Sequence, residues 1–414
     1  MKLFERYLQK SQTYVDVCFP DDVALIVIIP VYDDPDIFVT LDSLAACDMP
    51  KEGRVGILIV VNHSEMASEE IKERNELLYA QIRTYTEQTR FRDLEISTIK
   101  AFDLPAKEAG VGLARKWAMD SAVAYYARQK NENGIIVSLD ADTLTDKNYF
   151  TALLEHFSDL KIAGAAIAYE HRLEGGCDSI VKYELYLRYY CKALEYMLHP
   201  YAFHCIGSAF AVRTKDYVAV GGMNKRQAGE DFYFIQKLIA SNRFTHLFST
   251  KVYPSSRVSE RTPFGTGRAV KAISESNGSW PTYHMEAFKE LKSFFDSIED
   301  LFKKEQLFVF EFIDKQVEPI RSFLLDNDFG KSINEINKNT ASVQQFKRRF
   351  FDTFNAFRVL KYLNYVHPRY YQKQEITDAV KLFAEEVGWE VPDDAWEALV
   401  LLRKMSEKSI NSNK

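Results

Sequence analysis

The chain has 414 residues, enough to bury a large core and to divide into two or three lobes. Its 46% hydrophobic and 27% charged content excludes a disordered polypeptide, and a net charge of -6 argues against a general nucleic-acid binder. No apolar window approaches the ~18 residues of a membrane span, and the charged start Met1-Lys2-Leu3-Phe4-Glu5-Arg6 lacks a signal core, so a cytoplasmic protein is expected.

Residues 1–22 are expected to form an N-terminal helical segment ahead of the main domain. Ala24–Val31 reads as a buried strand, followed by a helix from about Asp36 to Cys47. Val55–Val61 is a second strand ending at Asn62-His63-Ser64, Met66 to about Thr89 a polar helix, and Leu94–Ile99 a third strand. Ala109–Gln129 has helical spacing, with Val111, Ala114, Ala118 and Ala122 on one face. The β-branched run after Asn133-Gly134 is a fourth strand that stops at Asp140, and a helix follows near Asp146–Phe157 with Asp146 as its N-cap. Strands alternating with helices imply an α/β, doubly wound sheet.

The texture then changes. Ser179–Leu198 is an aromatic-rich helix, and Ala202–Val212 a strand-like run around Gly207-Ser208. Gly229-Glu230-Asp231 opens a helix through about Ile239, and Phe244–Val252 returns to strand character. From about Thr282 nearly everything reads as helix, so the domains are drawn at 23–281 and 282–414. The five cysteines (Cys18, Cys47, Cys177, Cys191, Cys205) show no CxxC spacing and read as reduced, buried thiols.

Chemistry is expected where strands and helices end. Ligands of such sheets sit at the carboxyl ends of strands, and there the fourth strand delivers Asp140 and Asp142. Carboxylates that close repel unless a proton or cation lies between them, so a divalent ion bridged to phosphate suits the place. Glu230-Asp231 begins a helix, where ordinary capping is the plainer reading. In Ser255–Gly267, Arg257 and Arg261 either clamp a diphosphate or belong to a solvated loop. Cys205 reads as a small buried hydrophobe rather than a nucleophile.

The ordered set Ile28-Ile29-Pro30-Val31-Tyr32, Leu139-Asp140-Ala141-Asp142-Thr143 and Gly229-Glu230-Asp231 resembles the family 2 glycosyltransferases, over roughly Ala24 to Ser259. The resemblance implies a GT-A fold, a Rossmann-like mixed sheet, with an added C-terminal all-helical extension. It implies transfer of a hexosyl unit from a nucleotide-diphosphate sugar to an acceptor hydroxyl with Mn²⁺ or Mg²⁺. The acceptor would be a saccharide, a lipid-linked or a small molecule. Pro30, Val31 and Tyr32 would border the base, Asp33 or Asp34 the ribose or base edge, and Lys107 and Arg115 the uracil or ribose. Asp140, followed by Ala141, would meet ribose or metal, and Asp142 would ligate the ion on the diphosphate. Asp231 matches the catalytic base and Glu230 its neighbour in acceptor binding, while Gly207-Ser208 lies where relatives shape the acceptor pocket.

Two departures matter. Asn62-His63-Ser64 stands where many relatives carry an acidic pair and glycine, so the donor nucleotide stays open. The Gln-x-x-Arg-Trp pattern of polymer synthases is absent, which favours single addition, and a base at Asp231 suggests inversion. A third metal ligand is unassigned, with His246 and His284 distant from the other candidates. The stripe from Lys347 to Tyr365 is either a helix core face or a contact with the inner membrane face. The competing functions are a sugar-phosphate nucleotidyltransferase and a non-catalytic scaffold on a degenerate GT-A domain. Oligomeric state is left open.

Overall fold

The computed structural model describes residues 2–11, 13–173, 178–226, 229–258 and 265–408. Internal contacts divide the chain into two units, Met1–Glu174 with Cys205–Arg268, and Gly175–His204 with Ala269–Lys414.

The first unit runs α1 (Lys2–Ser11), β1 (Val23–Val31), α2 (Ile37–Ala45), β2 (Arg54–Ser64), α3 (Glu69–Thr86), β3 (Leu94–Leu104) and α4 (Val111–Arg128). It continues with β4 (Ile135–Ser138), β5 (Leu144–Thr145), α5 (Tyr149–His156) and β6 (Gly164–Tyr169). After α6 (Asp178–Tyr196), which belongs to the second unit, come β7 (Phe210–Arg213), α7 (Thr214–Ala219), α8 (Glu230–Ile239) and β8 (Phe244–Tyr253). The eight strands form one sheet in the order β3-β2-β1-β4-β7-β6-β8-β5. β7 is antiparallel to both its neighbours, and β5 is antiparallel to β8. The fold is therefore α/β, a mixed and doubly wound sheet of the GT-A kind followed by a helical C-terminal part, as expected.

β1 and β2 are apolar runs because the sheet is covered, so no polar alternation is possible at its centre. α4 packs on β1 and β2, with α1 and α7 also against it. That explains a helix buried nearly all round from Gly112 to Tyr126, where the spacing predicted one apolar face. Asp120 of α4 is fully buried and accepts hydrogen bonds from Tyr7 (2.6 Å) on α1 and from Tyr217 (2.8 Å) on α7.

β1 outruns β4. It pairs with β4 only up to Ile28 opposite Ser138, but with β2 as far as Val31 opposite Val61. Leu139 N donates to Ile28 O (3.1 Å), so Ile28 faces β4; Pro30, two residues on, faces the same side, where β4 has ended. Having no N–H, Pro30 cannot carry the ladder on to Leu139 O, so the pairing stops there and a crevice opens beside it.

Three local expectations are corrected. Residues 202–209 are not strand: Gly207 O is drawn aside to accept from Ser138 Oγ (2.7 Å), and only Phe210–Arg213 pairs. Asp146 does not cap α5, because its carboxylate accepts from Lys251 N (2.8 Å) and Tyr253 OH (2.7 Å) on β8. Cys18 is exposed rather than buried, whereas Cys47 and Cys191 are buried; Cys177 lies outside the described residues.

The second unit adds to α6 the elements α9 (Thr266–Glu275, most of it in this unit), β9 (Pro281–Thr282), α10 (Met285–Asp296), α11 (Gln306–Asp314) and α12 (Glu318–Leu325). It ends with α13 (Phe329–Lys338), α14 (Val343–Thr353), α15 (Ala356–Val366), β10 (Gln374–Glu375), α16 (Ile376–Val387) and α17 (Ala395–Lys408). The β9–β10 ladder is a strand pair the sequence did not signal. Phe294, Phe295, Phe350 and Phe354 fill the core, Phe350 and Phe354 stacked at 5.9 Å, so Phe350, Phe354 and Tyr362 of the 347–365 stripe pack inward while Phe357 is exposed. Glu184 on α6 is buried and takes two bonds from Arg403 of α17 (2.8 and 2.7 Å) and one from Arg188. Among the described residues no helix is long and apolar enough to cross a membrane.

Candidate functional site

The crevice beyond β4 is walled by the turn Asp140-Ala141-Asp142. Its backbone is held from several sides. Thr40 Oγ1 of α2 donates to Ala141 O (2.8 Å), Thr143 N to Asp140 O (3.3 Å), and Arg172 Nη2 to Asp142 O (3.2 Å). Two residues after Asp142 the chain is already paired with β8. The two carboxylates thus project from a fixed turn, Asp142 partly exposed and Asp140 more so.

Arg115, in the first turns of α4, ties this turn to another segment. It is 2% exposed, its Nη2 lies 2.6 Å from Asp140 Oδ1, and its Nη1 bonds Glu230 at the start of α8. Two glycines permit that approach. A Cβ on Gly112 would lie 2.0 Å from Arg226 O, and one on Gly207 would lie 2.7 Å from Arg115 Nη2. A Gly207→Ala variant is therefore expected to lose about 1–3 kcal/mol in chemical denaturation, because a guanidinium held by two carboxylates cannot retreat. A loss below about 0.5 kcal/mol would show the guanidinium to be free.

Gly229, left-handed at φ 70°, turns the chain into α8 and sets Glu230 and Asp231 in its first turn. Burial pushes the Glu230 carboxyl up; Arg115 pulls part of the way back, and the Asp231 and Asp140 charges push up again. Asp231 is likewise raised by burial, with Arg115 and the bond from Phe232 N (2.7 Å) opposing. A carboxylate so raised is a better proton acceptor near neutral pH than an exposed one. Burial, with the Asp231 charge, pushes the Cys205 thiol up to about 12, which leaves little thiolate at neutral pH.

A second set of acids faces Arg257. Its Nη1 donates to Asp36 Oδ2 (2.6 Å), its Nη2 bonds Asp34, and Asp142 Oδ2 stands 3.3 Å from the same Nη2. Asp33 is turned away, held by Arg74 Nε (2.9 Å) and Nη2 (2.8 Å). Pro30 and Val31 are buried at the end of β1, and Tyr32 is half-buried. Asn62, 3% exposed, has an Oδ1 with no hydrogen-bond partner among the described residues.

Asp140, Arg115, Glu230 and Asp231 thus come together, as do Asp34, Asp142 and Arg257. Lys107 stays exposed on the turn before α4, and the described contacts do not bring it to these acids. Gly207 and Ser208 are buried, Gly207 against Arg115, and Arg261 lies outside the described residues. His246 lies tilted against Phe248 (5.2 Å between ring centres), and His284 caps α10 by accepting from Glu286 N (3.1 Å). Asp36, Thr40 and Arg172 were not anticipated. For Asp36 the sequence carries a signal, since it lies two residues beyond Asp34 across a proline and also opens α2.

No family model matches the chain, and no curated protein sequence matches it. Solved structures do. TarS 1–349 of S. aureus in complex with UDP-GlcNAc shares 14% identity at a TM-score of 0.39, over 80% of this chain and 92% of that one. The mannosyltransferase PcManGT from Pyrobaculum calidifontis, in complex with GDP-Man and Mn²⁺, shares 14% identity at 0.38, over 98% and 94%. In the longer S. aureus TarS structure the match is 16% identical at 0.35 and spans 37% of that protein and 56% of this chain. What those proteins bind belongs to them; for this chain the side chains above carry the reading.

Proposed function

We propose that the chain is a glycosyltransferase that moves a hexosyl unit from a nucleotide-diphosphate sugar to an acceptor hydroxyl, by single addition with inversion. The observation that carries this is Arg115, which joins the acid turn after β4 to the Glu230-Asp231 pair. Donor-side and acceptor-side carboxylates are thereby fixed across one crevice at the carboxyl ends of the strands.

Among the described residues no three His, Cys, Asp or Glu side chains could hold a metal ion by themselves. Asp142 and Asp140 nevertheless fit Mg²⁺ or Mn²⁺, hard ions that are commonly held by one or two carboxylates with the remaining places filled by phosphate and water. Bound there, such an ion supplies Lewis-acid neutralisation of the departing diphosphate. Asp231 accepts the acceptor hydroxyl proton as the new C–O bond forms, and the electron pair of the old bond leaves with the phosphate oxygen. Glu230 positions the acceptor from the protein side. Asn62 Oδ1 offers the nucleotide base a hydrogen-bond acceptor, and Arg257 offers the diphosphate a cation. The first turn, Asp33-Asp34-Pro35-Asp36, has no glycine-rich loop, which disfavours the nucleotidyltransferase reading.

A melting panel tests this. Nucleoside diphosphates and their sugars with Mn²⁺ are expected to stabilise the protein, by about 2.7 kcal/mol at a hundredfold excess over Kd. Indifference to every nucleotide in the panel removes the proposal.

A further inference from the structure

One buried carboxyl joins the amino-terminal segment to the turn that leads into α8. Asp120 of α4 accepts from the hydroxyls of Tyr7, Ser11, Thr13 and Tyr217 and pairs with Lys116 Nζ (2.9 Å). These donors saturate the acid, and a saturated buried network holds its members in one arrangement. Two of them also grip the backbone. Tyr7 and Tyr217 meet edge to face at 5.9 Å and close on Gly222, which is left-handed at φ 69°. A Cβ there would lie 2.0 Å from the Tyr7 hydroxyl oxygen and 3.1 Å from Tyr217 Cε1. Gly222 N donates to Tyr217 O (2.9 Å) as well. From this glycine the chain leads to the carboxyl pair: Met223 is buried, Asn224 Oδ1 accepts from Arg226 N (3.0 Å), and Asn224 Nδ2 donates to Glu230 O (3.4 Å). Ser11 and Thr13 bond the same acid, but the described contacts do not bring them to the turn.

Resting on the reading of Asp231 as the base, we infer that Tyr7 and Tyr217, oriented by Asp120, are positioning residues that place Glu230 and Asp231 through Gly222. Asp120 fixes the two hydroxyls, the two rings enclose Gly222, and Asn224 carries that placement to the first turn of α8. The turn bearing Asp142 is held from other elements, by Thr40 and Arg172. Loosening the grip on Gly222 therefore acts on proton acceptance more than on donor binding. A displacement of about 1 Å, originating far from the reacting atoms, is enough to slow a reaction severely. The amino-terminal helix, more than 200 positions before the base, thus belongs to the framework of the site.

The test pairs amide hydrogen exchange with donor hydrolysis. Tyr7→Phe and Tyr217→Phe keep the rings and remove the hydroxyls. In each, exchange over residues 221–226 and the first turn of α8 is expected to quicken about tenfold while β1 and β2 keep wild-type protection. Hydrolysis of UDP-GlcNAc or GDP-Man with Mn²⁺, water serving as acceptor, is expected to show kcat lowered about tenfold and KM within about twofold. Ser11→Ala takes a bond from the same acid without touching Gly222, so it should lower Tm and leave both readouts at wild type. Unchanged exchange over 221–226 in both tyrosine variants overturns the inference. So does a wild-type kcat, a loss confined to KM, or a Ser11→Ala variant that matches Tyr7→Phe in both readouts. If the wild-type chain hydrolyses neither sugar nucleotide, the transferase reading falls and exchange alone decides: quickening confined to the turn and α8 supports the inference, and uniform or absent quickening overturns it.

Discussion

Asp231→Asn is expected to lower sugar transfer by about 10²–10⁴-fold while leaving donor affinity within about threefold of the wild type. The amide keeps the shape and the bond from Phe232 N but cannot take a proton at neutral pH. Initial rates with a saturating nucleotide sugar, set beside calorimetric binding of the same sugar, separate the two quantities. Transfer that stays within tenfold of wild type removes Asp231 as the base. The pH profile gives an independent check. Burial holds the Asp231 carboxyl above its ordinary value of 3.8. A base works ionised, so the rate should fall as pH drops through that raised value. Because Arg115 opposes the rise, removing the guanidinium should move this acid limb to higher pH.

Arg115→Met is expected to be the most destabilising single change in the first unit, at about 3–5 kcal/mol. It strips a buried cation from Glu230 and Asp140 at once and leaves Glu230 buried without its partner. For a unit of this size that is a fall in Tm of roughly 6–20 °C, measurable by calorimetry. The loss should depend on pH. Glu230 is held by burial above its ordinary value of 4.5, so the folded state binds its proton more tightly than the unfolded state. That contribution is complete below 4.5 and disappears as pH rises through the raised folded value. Without Arg115 the folded value climbs further, so the gap between variant and wild type should widen from acid to alkaline pH. A gap that is constant with pH, or below about 1 kcal/mol, would mean that the guanidinium does not stabilise ionised Glu230. Arg115→Lys should recover part of the loss, since a single ammonium replaces the charge but not both arms of the fork.

The sheet was legible because its central strands are covered on both faces and read as unbroken apolar runs, Ile26–Val31 and Val55–Val61 among them. Asp140, Asp142, Glu230 and Asp231 stood out because they end such a run or open a helix. What holds them was not legible. Arg115 bonds a partner 115 positions away, and the glycine behind its guanidinium looked like part of a strand. Asp36 does open α2, but its carboxylate bonds Arg257 rather than the helix amides, whereas Asp146 anchors β8 and does not cap α5. Local propensity cannot see such choices, because an acid at a helix start serves equally well as a cap or as a distant ion-pair partner. Asp33 and Asp34, adjacent and chemically alike, part ways: Arg74 of α3 reaches one and Arg257 the other.

The insertion of β7 between β4 and β6 has a bearing on biosynthesis. β4 keeps a bare edge until Phe210–Arg213 have been made, and the same stretch of chain brings Gly207 and, soon after, Glu230. Nascent chains that end before this stretch would expose β4 to wrong pairing and would lack half the crevice. Competence to bind a donor should therefore arrive abruptly on the ribosome, with the emergence of α8, rather than accumulate strand by strand.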